Sequence, residues 1–200
     1  MTTISNRQTV VTPADNVPGP KQGQWTYDHY ATLPDDGQRY EIVDGVLYMA
    51  PPSPSGFHQG AVNLLATYLT IHVQFVGLGR VYSAPFDVEL APNTVVQPDV
   101  FVLLKESSSK FTPSRVVGAP ELVIEVSSPR TVVHDLHRKY VAYAAAGVKE
   151  YWVVDPAAHT IEVLILENGE YHSAGVFSGE DTLPSQVVLN FPVQVQQFFA

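Results

Sequence analysis

Apolar and polar positions alternate between two periods along this chain, and the switches between them predict most of its elements. Tyr40 to Met49 carries apolar runs on both sides of Asp44-Gly45, which reads as a β-hairpin because Asp-Gly suits the tight turn. Pro51, Pro52 and Pro54 then break the strand. From His58 to about Phe75, the residues Ala61, Leu64, Leu65, Tyr68, Leu69, His72 and Phe75 fall at helical spacing, giving a helix with one buried stripe, ended by Gly77 and Gly79. Val81-Tyr82 and Phe86 to Leu90 read as short strands separated by Pro85. Val95 to Leu104 reads as one longer strand, with Pro98 implying an edge or bulge position.

Residues 105–119 are polar, contain Ser107-Ser108-Ser109, and read as a mobile loop. Glu121 to Ser127 is predicted as a strand and His134 to Ala146 as a helix closed by Gly147. Glu150–Asp155 and Thr160–Leu166 follow as strands across Pro156, then Tyr171–Val176 after the Asn168-Gly169 turn. The last twenty residues are expected to add a strand and a short helix. Trp25 to Tyr30 reads as a short helix or turn, and residues 1–24, with Pro13, Pro18, Pro20, Gly19 and Gly23, as a flexible lead-in. The predicted class is α/β, a mixed sheet flanked by helices in one domain over residues 25–200.

Composition narrows the chemistry. Hydrophobic residues form 45% of 200, enough for a sizeable core, and the absence of cysteine removes disulfides, thiol catalysis and Cys-based zinc sites. Met1 to Ser5 lacks the pattern of a signal peptide, and no apolar run reaches the roughly 18 residues that span a bilayer. A soluble, cytoplasmic protein is expected. The formal charge of −9 weighs against tight, general DNA binding, although Lys105, Lys110, Arg115, Arg130, Arg138 and Lys139 could form a small basic patch.

Three segments hold the candidate chemistry. In the strand from Glu121, Leu122, Ile124 and Val126 share one face, and Val123, Glu125 and Ser127 the other. An ionised Glu125 buried there needs a partner, either a basic side chain or a cation. Asp99 poses the same question after Val95-Val96-Gln97-Pro98, where it is either a turn residue or a ligand. A shared hard cation would satisfy both carboxylates. Asp135 and Lys139 lie four apart on one helix face, as a solvated pair or with Lys139 reaching back toward Glu125 along Leu136, Tyr140 and Tyr143. Glu41 and His58 either line the same pocket or serve as a rim contact and a cap. Asp87 resembles Glu125 in its surroundings, while His134 and His137 read as surface histidines.

Seven short pieces in order carry a resemblance: Tyr40 to Gly45, Pro52-Ser53-Pro54 before His58, Ala84 to Val88, Val95 to Asp99, Gly118 to Pro129, Asp135 to Lys139 with Tyr143, and Gly147 to Pro156. Over about residues 25–175 the chain resembles the Uma-two family, within the PD-(D/E)XK nuclease superfamily and its restriction-endonuclease-like α/β core. That resemblance implies a metal-dependent endonuclease hydrolysing DNA phosphodiester bonds. It implies Asp99 and Glu125 as metal ligands with the backbone carbonyl of Val126, and Mg²⁺ as cofactor with Mn²⁺ as substitute. The superfamily lysine would sit at Ser127; here Lys139 takes its role from the next helix, orienting or deprotonating the attacking water. Glu41, His58, Asp87 and Gln97 are expected to line the site. A homodimer is expected because nucleases often cut two strands with paired sites. The competing readings are an inert nuclease-fold binding or regulatory module, and a hydrolase of small phosphodiesters.

Overall fold

A computed structural model describes residues 13–34, 36–49, 55–126 and 132–200, with the backbone alone for 132–136. The proline break at 51–54, Ser127, and the side chains of His134 and Asp135 lie outside the described residues.

Two mixed sheets carry the chain. The first has five strands in the order β2-β1-β5-β4-β7, formed by β1 (Tyr40–Val43), β2 (Val46–Met49), β4 (Asp87–Ala91), β5 (Thr94–Val96) and β7 (Arg115–Val117). The second has six in the order β11-β10-β9-β8-β6-β3, formed by β3 (Gly79–Ser83), β6 (Val100–Leu104), β8 (Leu122–Val126), β9 (Glu150–Asp155), β10 (Thr160–Glu167) and β11 (Glu170–Ser178). Within each, one pair runs parallel, β4 with β7 and β8 with β9, and the remaining pairs are antiparallel. Among the described residues, three α-helices accompany them: α1 (Tyr27–Tyr30), α2 (Gly56–Leu69) and α3 (Val132–Ala146).

The predicted hairpin forms at Asp44-Gly45, where both residues adopt positive φ (50° and 74°), the backbone a two-residue turn of this kind requires. Gly45 also sits against backbone, since a Cβ there would lie 2.5 Å from the carbonyl oxygen of Gly23. Gly45→Ala should therefore destabilise the fold by about 1–3 kcal/mol for the left-handed conformation alone. A urea midpoint equal to that of the unaltered protein would contradict this. Residues from Pro13 onward, within the expected lead-in, pack on this hairpin. Pro13 bridges Tyr48, the Ala14 N–H donates to Leu47, and Trp25 is buried with Tyr40, Ile42, Leu47 and Val95.

Helix α2 starts at Ser55, whose hydroxyl accepts from the His58 N–H. Its buried residues are Ala61, Val62, Leu65 and Leu69, and a π-helical turn over Thr70–Gln74 buries Val73. The wider turn shifts the phase of the stripe, so Phe75, expected inside, is 75% exposed. One core lies between α2, the Leu183–Phe198 segment and the face of the six-stranded sheet carrying Leu122, Ile124 and Val126. A second joins the opposite face, with Val123 and Phe101, to Tyr143 of α3 and to Val43, Val88, Val96 and Val116 of the five-stranded sheet.

Three expectations are corrected. The single strand over Val95–Leu104 is two strands in different sheets, β5 and β6, because Pro98 has no N–H to continue a ladder and the chain crosses between sheets at residues 97–99. Residues 105–119 form a 3₁₀ helix over Lys105–Lys110 and strand β7, anchored where Ser107 and the Leu104 N–H donate to the buried Glu121 carboxylate. In the C-terminal segment the expected strand is only an isolated bridge between Thr182 and Gln194, while the expected short helix forms as a 3₁₀ turn, Val195–Phe198. A fully buried Glu150 holds that segment by accepting from the N–H groups of Gln186 and Val187 and from the Trp152 indole.

Candidate active site

The crossing between sheets brings the candidate residues together. Gln97 and Asp99 flank the proline where the chain leaves β5 for β6. Glu41 comes from β1, next to β5, and Glu125 comes from β8, next to β6. Helix α3 covers the gap and supplies Lys139 and Tyr143. The face alternation read from the sequence holds: Glu125 lies on the side of Val123, toward α3 and the other sheet, opposite Leu122 and Ile124.

Lys139 sits between two carboxylates. Its Nζ lies 3.0 Å from Glu41 Oε1 and 3.1 Å from Glu125 Oε1, and all three side chains are buried. The Tyr143 hydroxyl donates to Glu125 Oε1 at 2.7 Å. Glu41 Oε1 also accepts the backbone N–H of Gln97 at 2.8 Å, which ties β1 to the crossing. Asp99 Oδ2 accepts the backbone N–H of Val126 at 2.8 Å, and Asp99 Oδ1 lies 3.2 Å from His58 Nε2. That second contact sets the His58 imidazole against the Asp99 carboxylate at ion-pair distance.

Burial drives the electrostatics. Desolvation pushes the Glu125 carboxyl up to about 8, against the pull of Lys139 and the Tyr143 hydrogen bond, with the Asp99 and Glu41 charges adding to the rise. Desolvation, followed by the Glu125 charge, likewise holds the Tyr143 phenol well above its usual range, so it remains a donor. Glu41 and Glu125 thus share one ammonium, with the Asp99 charge acting on Glu125.

Asp87 stands apart from these groups. It is half-buried and accepts from the Gln97 amide at 2.8 Å and the Tyr30 hydroxyl at 3.2 Å, and burial first of all raises its pKa. Gln97 links this second cluster to the first, its backbone holding Glu41 and its side chain holding Asp87 and accepting from Arg39. The sequence reading puts Tyr143 in the apolar stripe of α3 and in the motif with Asp135 to Lys139, but assigns no role to its hydroxyl. The four-residue step from Lys139 to Tyr143 was the available signal, because it puts both on one helix face. Tyr30 was missed outright.

Among the described residues expected to build a basic patch, four are engaged elsewhere. Lys110 donates to the Ala119 carbonyl beside Glu121, Arg115 pairs with Glu89, Arg138 lies over the Tyr48 ring, and Lys139 is inside the site. Arg130 lies outside the described residues.

Among the described residues, no three His, Cys, Asp or Glu side chains converge closely enough to hold a metal by themselves. Asp99 and Glu125 are oxygen donors of the kind a hard cation takes, and they share the site with the Lys139 ammonium and the His58 imidazole.

No curated protein matches the sequence. A solved structure from Anabaena variabilis ATCC 29413, described as a putative nuclease belonging to DUF820, is similar to this chain with a TM-score of 0.72 and 18% identity, covering 88% of this chain and 97% of that one. The likeness establishes a shared fold, in keeping with the restriction-endonuclease-like α/β class. Among the described residues, no helix is long and apolar enough to cross a membrane. A family model described as "Uma2: Putative restriction endonuclease" matches residues 27–196, and the chain belongs to that family.

Proposed function

We propose that this protein is a metal-dependent endonuclease that hydrolyses DNA phosphodiester bonds at the site built from Asp99, Glu125 and Lys139. The observation that supports it most is the buried Lys139 ammonium held 3.0–3.1 Å from two carboxylates, with Asp99 close enough to disfavour the charge on Glu125. A purely structural ion pair needs one carboxylate for its ammonium. A second and a third, all buried or nearly so, raise the cost of the apo fold and gain a purpose when a divalent cation neutralises them.

Asp99, Glu125 and the carbonyl of Val126 would hold Mg²⁺ or Mn²⁺, leaving the remaining positions to water and phosphate. Such an ion supplies charge to a phosphate oxygen and lowers the pKa of a bound water. The chain's own groups do the rest. Lys139, fixed by Glu41 and Glu125, orients the attacking water and offsets negative charge as the water oxygen bonds to phosphorus and the bond to the leaving oxygen breaks. Tyr143 and Glu41 set the position of Glu125 and Lys139 respectively. His58 orients Asp99 from the start of α2. We place this activity in the cytoplasm.

The test is cleavage of supercoiled plasmid by nuclease-free protein in Mg²⁺ or Mn²⁺, with EDTA as control. Asp99→Ala should slow it by at least about a hundredfold, more than the loss of an outer group costs a metal site. Full metal-dependent cleavage by Asp99→Ala removes the assignment. No cleavage of any phosphodiester by the unaltered protein, together with no heat of Mn²⁺ binding, points instead to an inert member of the fold.

A further inference from the structure

Between β5 and β6 the chain leaves one ladder before it joins the next. Pairing of β5 with β4 ends at Val96, opposite Val88, and pairing of β6 begins at Val100, opposite Ser83 and Ile124. The residues between are Gln97, Pro98 and Asp99, so a candidate metal ligand stands on a stretch without strand pairing. Such a stretch holds a side chain less precisely than a strand does. Pro98 stiffens it by fixing its own φ and restricting the residue before it. The Asp99 carbonyl accepts the Ala84 N–H at 3.1 Å. The other main-chain anchor is Gln97.

Gln97 is where four elements meet. Its backbone N–H donates at 2.8 Å to Glu41 Oε1, the same oxygen that lies 3.0 Å from Lys139 Nζ. Its side-chain amide is held at both ends. Nε2 donates to Asp87 Oδ1 at 2.8 Å and to the Tyr30 hydroxyl at 3.2 Å, while Oε1 accepts from Arg39 Nε at 3.1 Å. Tyr30 closes a ring of hydrogen bonds by donating to the same Asp87 oxygen at 3.2 Å. These partners fix which way the amide points. Turned over, its NH₂ would face the guanidinium N–H and its oxygen the carboxylate. Only a side chain with a donor at one corner and an acceptor at the other answers both.

We infer that Gln97 is a positioning residue, oriented by Asp87 and Tyr30, that keeps both Asp99 and the Glu41–Lys139 pair in place. This rests on the hydrolase reading above and extends it beyond Asp99, Glu125 and Lys139. A displaced Gln97 moves Glu41 through one hydrogen bond and Asp99 through one proline, so a single shift disturbs the metal side and the ammonium side together. A misplacement of about 1 Å in a reacting group can cost on the order of a hundredfold in rate.

Gln97→Glu tests this, because it keeps the size and the Arg39 contact while setting a carboxylate oxygen against Asp87 where an amide nitrogen now donates. At saturating Mn²⁺, kcat for plasmid cleavage should fall roughly 10- to 100-fold while KM for DNA stays within about twofold. The Mn²⁺ dissociation constant, read by calorimetry, should rise roughly tenfold or more. Combining Gln97→Glu with Asp87→Asn turns donor and acceptor around and should restore both quantities. Melting curves keep every assay below unfolding, and slowing that vanishes well below the transition overturns the inference. Gln97→Glu with the kcat and Mn²⁺ affinity of the original also overturns it and leaves the hydrolase reading standing. A double exchange as slow and as weakly binding as Gln97→Glu alone overturns it too. An original protein that cleaves no phosphodiester, but whose Mn²⁺ affinity falls with Gln97→Glu and returns in the double exchange, supports the positioning role and removes the hydrolase reading. Absence of both cleavage and Mn²⁺ binding overturns the inference together with that reading.

Discussion

Replacing Lys139 by methionine should both stop cleavage and loosen the fold. The ammonium is the shared partner of Glu41 and Glu125, and methionine fills its volume without its charge. Two buried carboxylates would then face each other and Asp99 with no cation between them. Breaking a buried ion pair from one side typically costs about 3–5 kcal/mol, because the orphaned charge stays desolvated. The loss should grow as the pH rises above 8, where Glu125 ionises in the original protein. It should shrink as the pH falls, because removing Lys139 raises the Glu125 carboxyl further and keeps it protonated. Cleavage should drop by a factor on the order of 10³, as expected when a group aimed at developing phosphate charge is removed. Denaturant titrations of Lys139→Met at pH 8 and pH 5 measure the first effect and plasmid nicking the second. A Lys139→Met protein as stable as the original at pH 8 would show that this charge balance is misjudged. The double variant Glu41→Gln, Lys139→Met separates the two roles, because it should recover part of the stability and none of the activity.

Lys139 also shows how far a sequence carries. That Lys139 could reach back toward Glu125 was legible in local patterns: a strand whose alternation fixes the face of Glu125, and a helix whose spacing puts Lys139 beside Tyr140 and Tyr143. Both patterns are set by backbone periodicity, which neighbouring residues report directly. The Asp44-Gly45 turn was legible for the same reason. Glu41 as the second partner of Lys139 was not. That contact depends on one sheet packing across another, and residues 41 and 139 share no local period. Pro98 was read as an interruption within one strand, yet it marks where the chain changes sheets. Proline's missing N–H excludes a ladder position but does not say where the next strand goes. The phase shift after Leu69 was hidden too, since a π-helical turn depends on how α2 meets its neighbours, and so Phe75 was placed inside. The side-chain hydroxyl of Tyr143 was overlooked because the stripe that buries its ring accounted for it fully.

Glu125→Gln should give a protein that is more stable and inactive. Protonated glutamic acid and glutamine are nearly the same shape, so both can accept from Lys139 and Tyr143 at Oε1. They differ once the carboxyl ionises. In the unfolded chain that happens near 4.5, whereas in the folded protein burial pushes it up to about 8. Between those values the folded state holds a proton that the unfolded state has released, so stability falls as the pH rises through the window. The full cost is present above pH 8 and absent below about pH 4.5. At 1.36 kcal/mol per pKa unit, that cost is on the order of a few kcal/mol. The original protein in EDTA and Glu125→Gln should therefore melt together at pH 5 and separate by pH 8, with glutamine the higher. Mn²⁺ should close the gap from the other side by stabilising only the carboxylate form. It should also release a proton on binding below pH 8, readable by calorimetry in buffers of different ionisation enthalpy. Parallel stability curves from pH 5 to pH 8 would mean that Glu125 keeps an ordinary carboxylate pKa. The burial of Glu41 and Glu125 beside Asp99 would then need an explanation other than a cation to come.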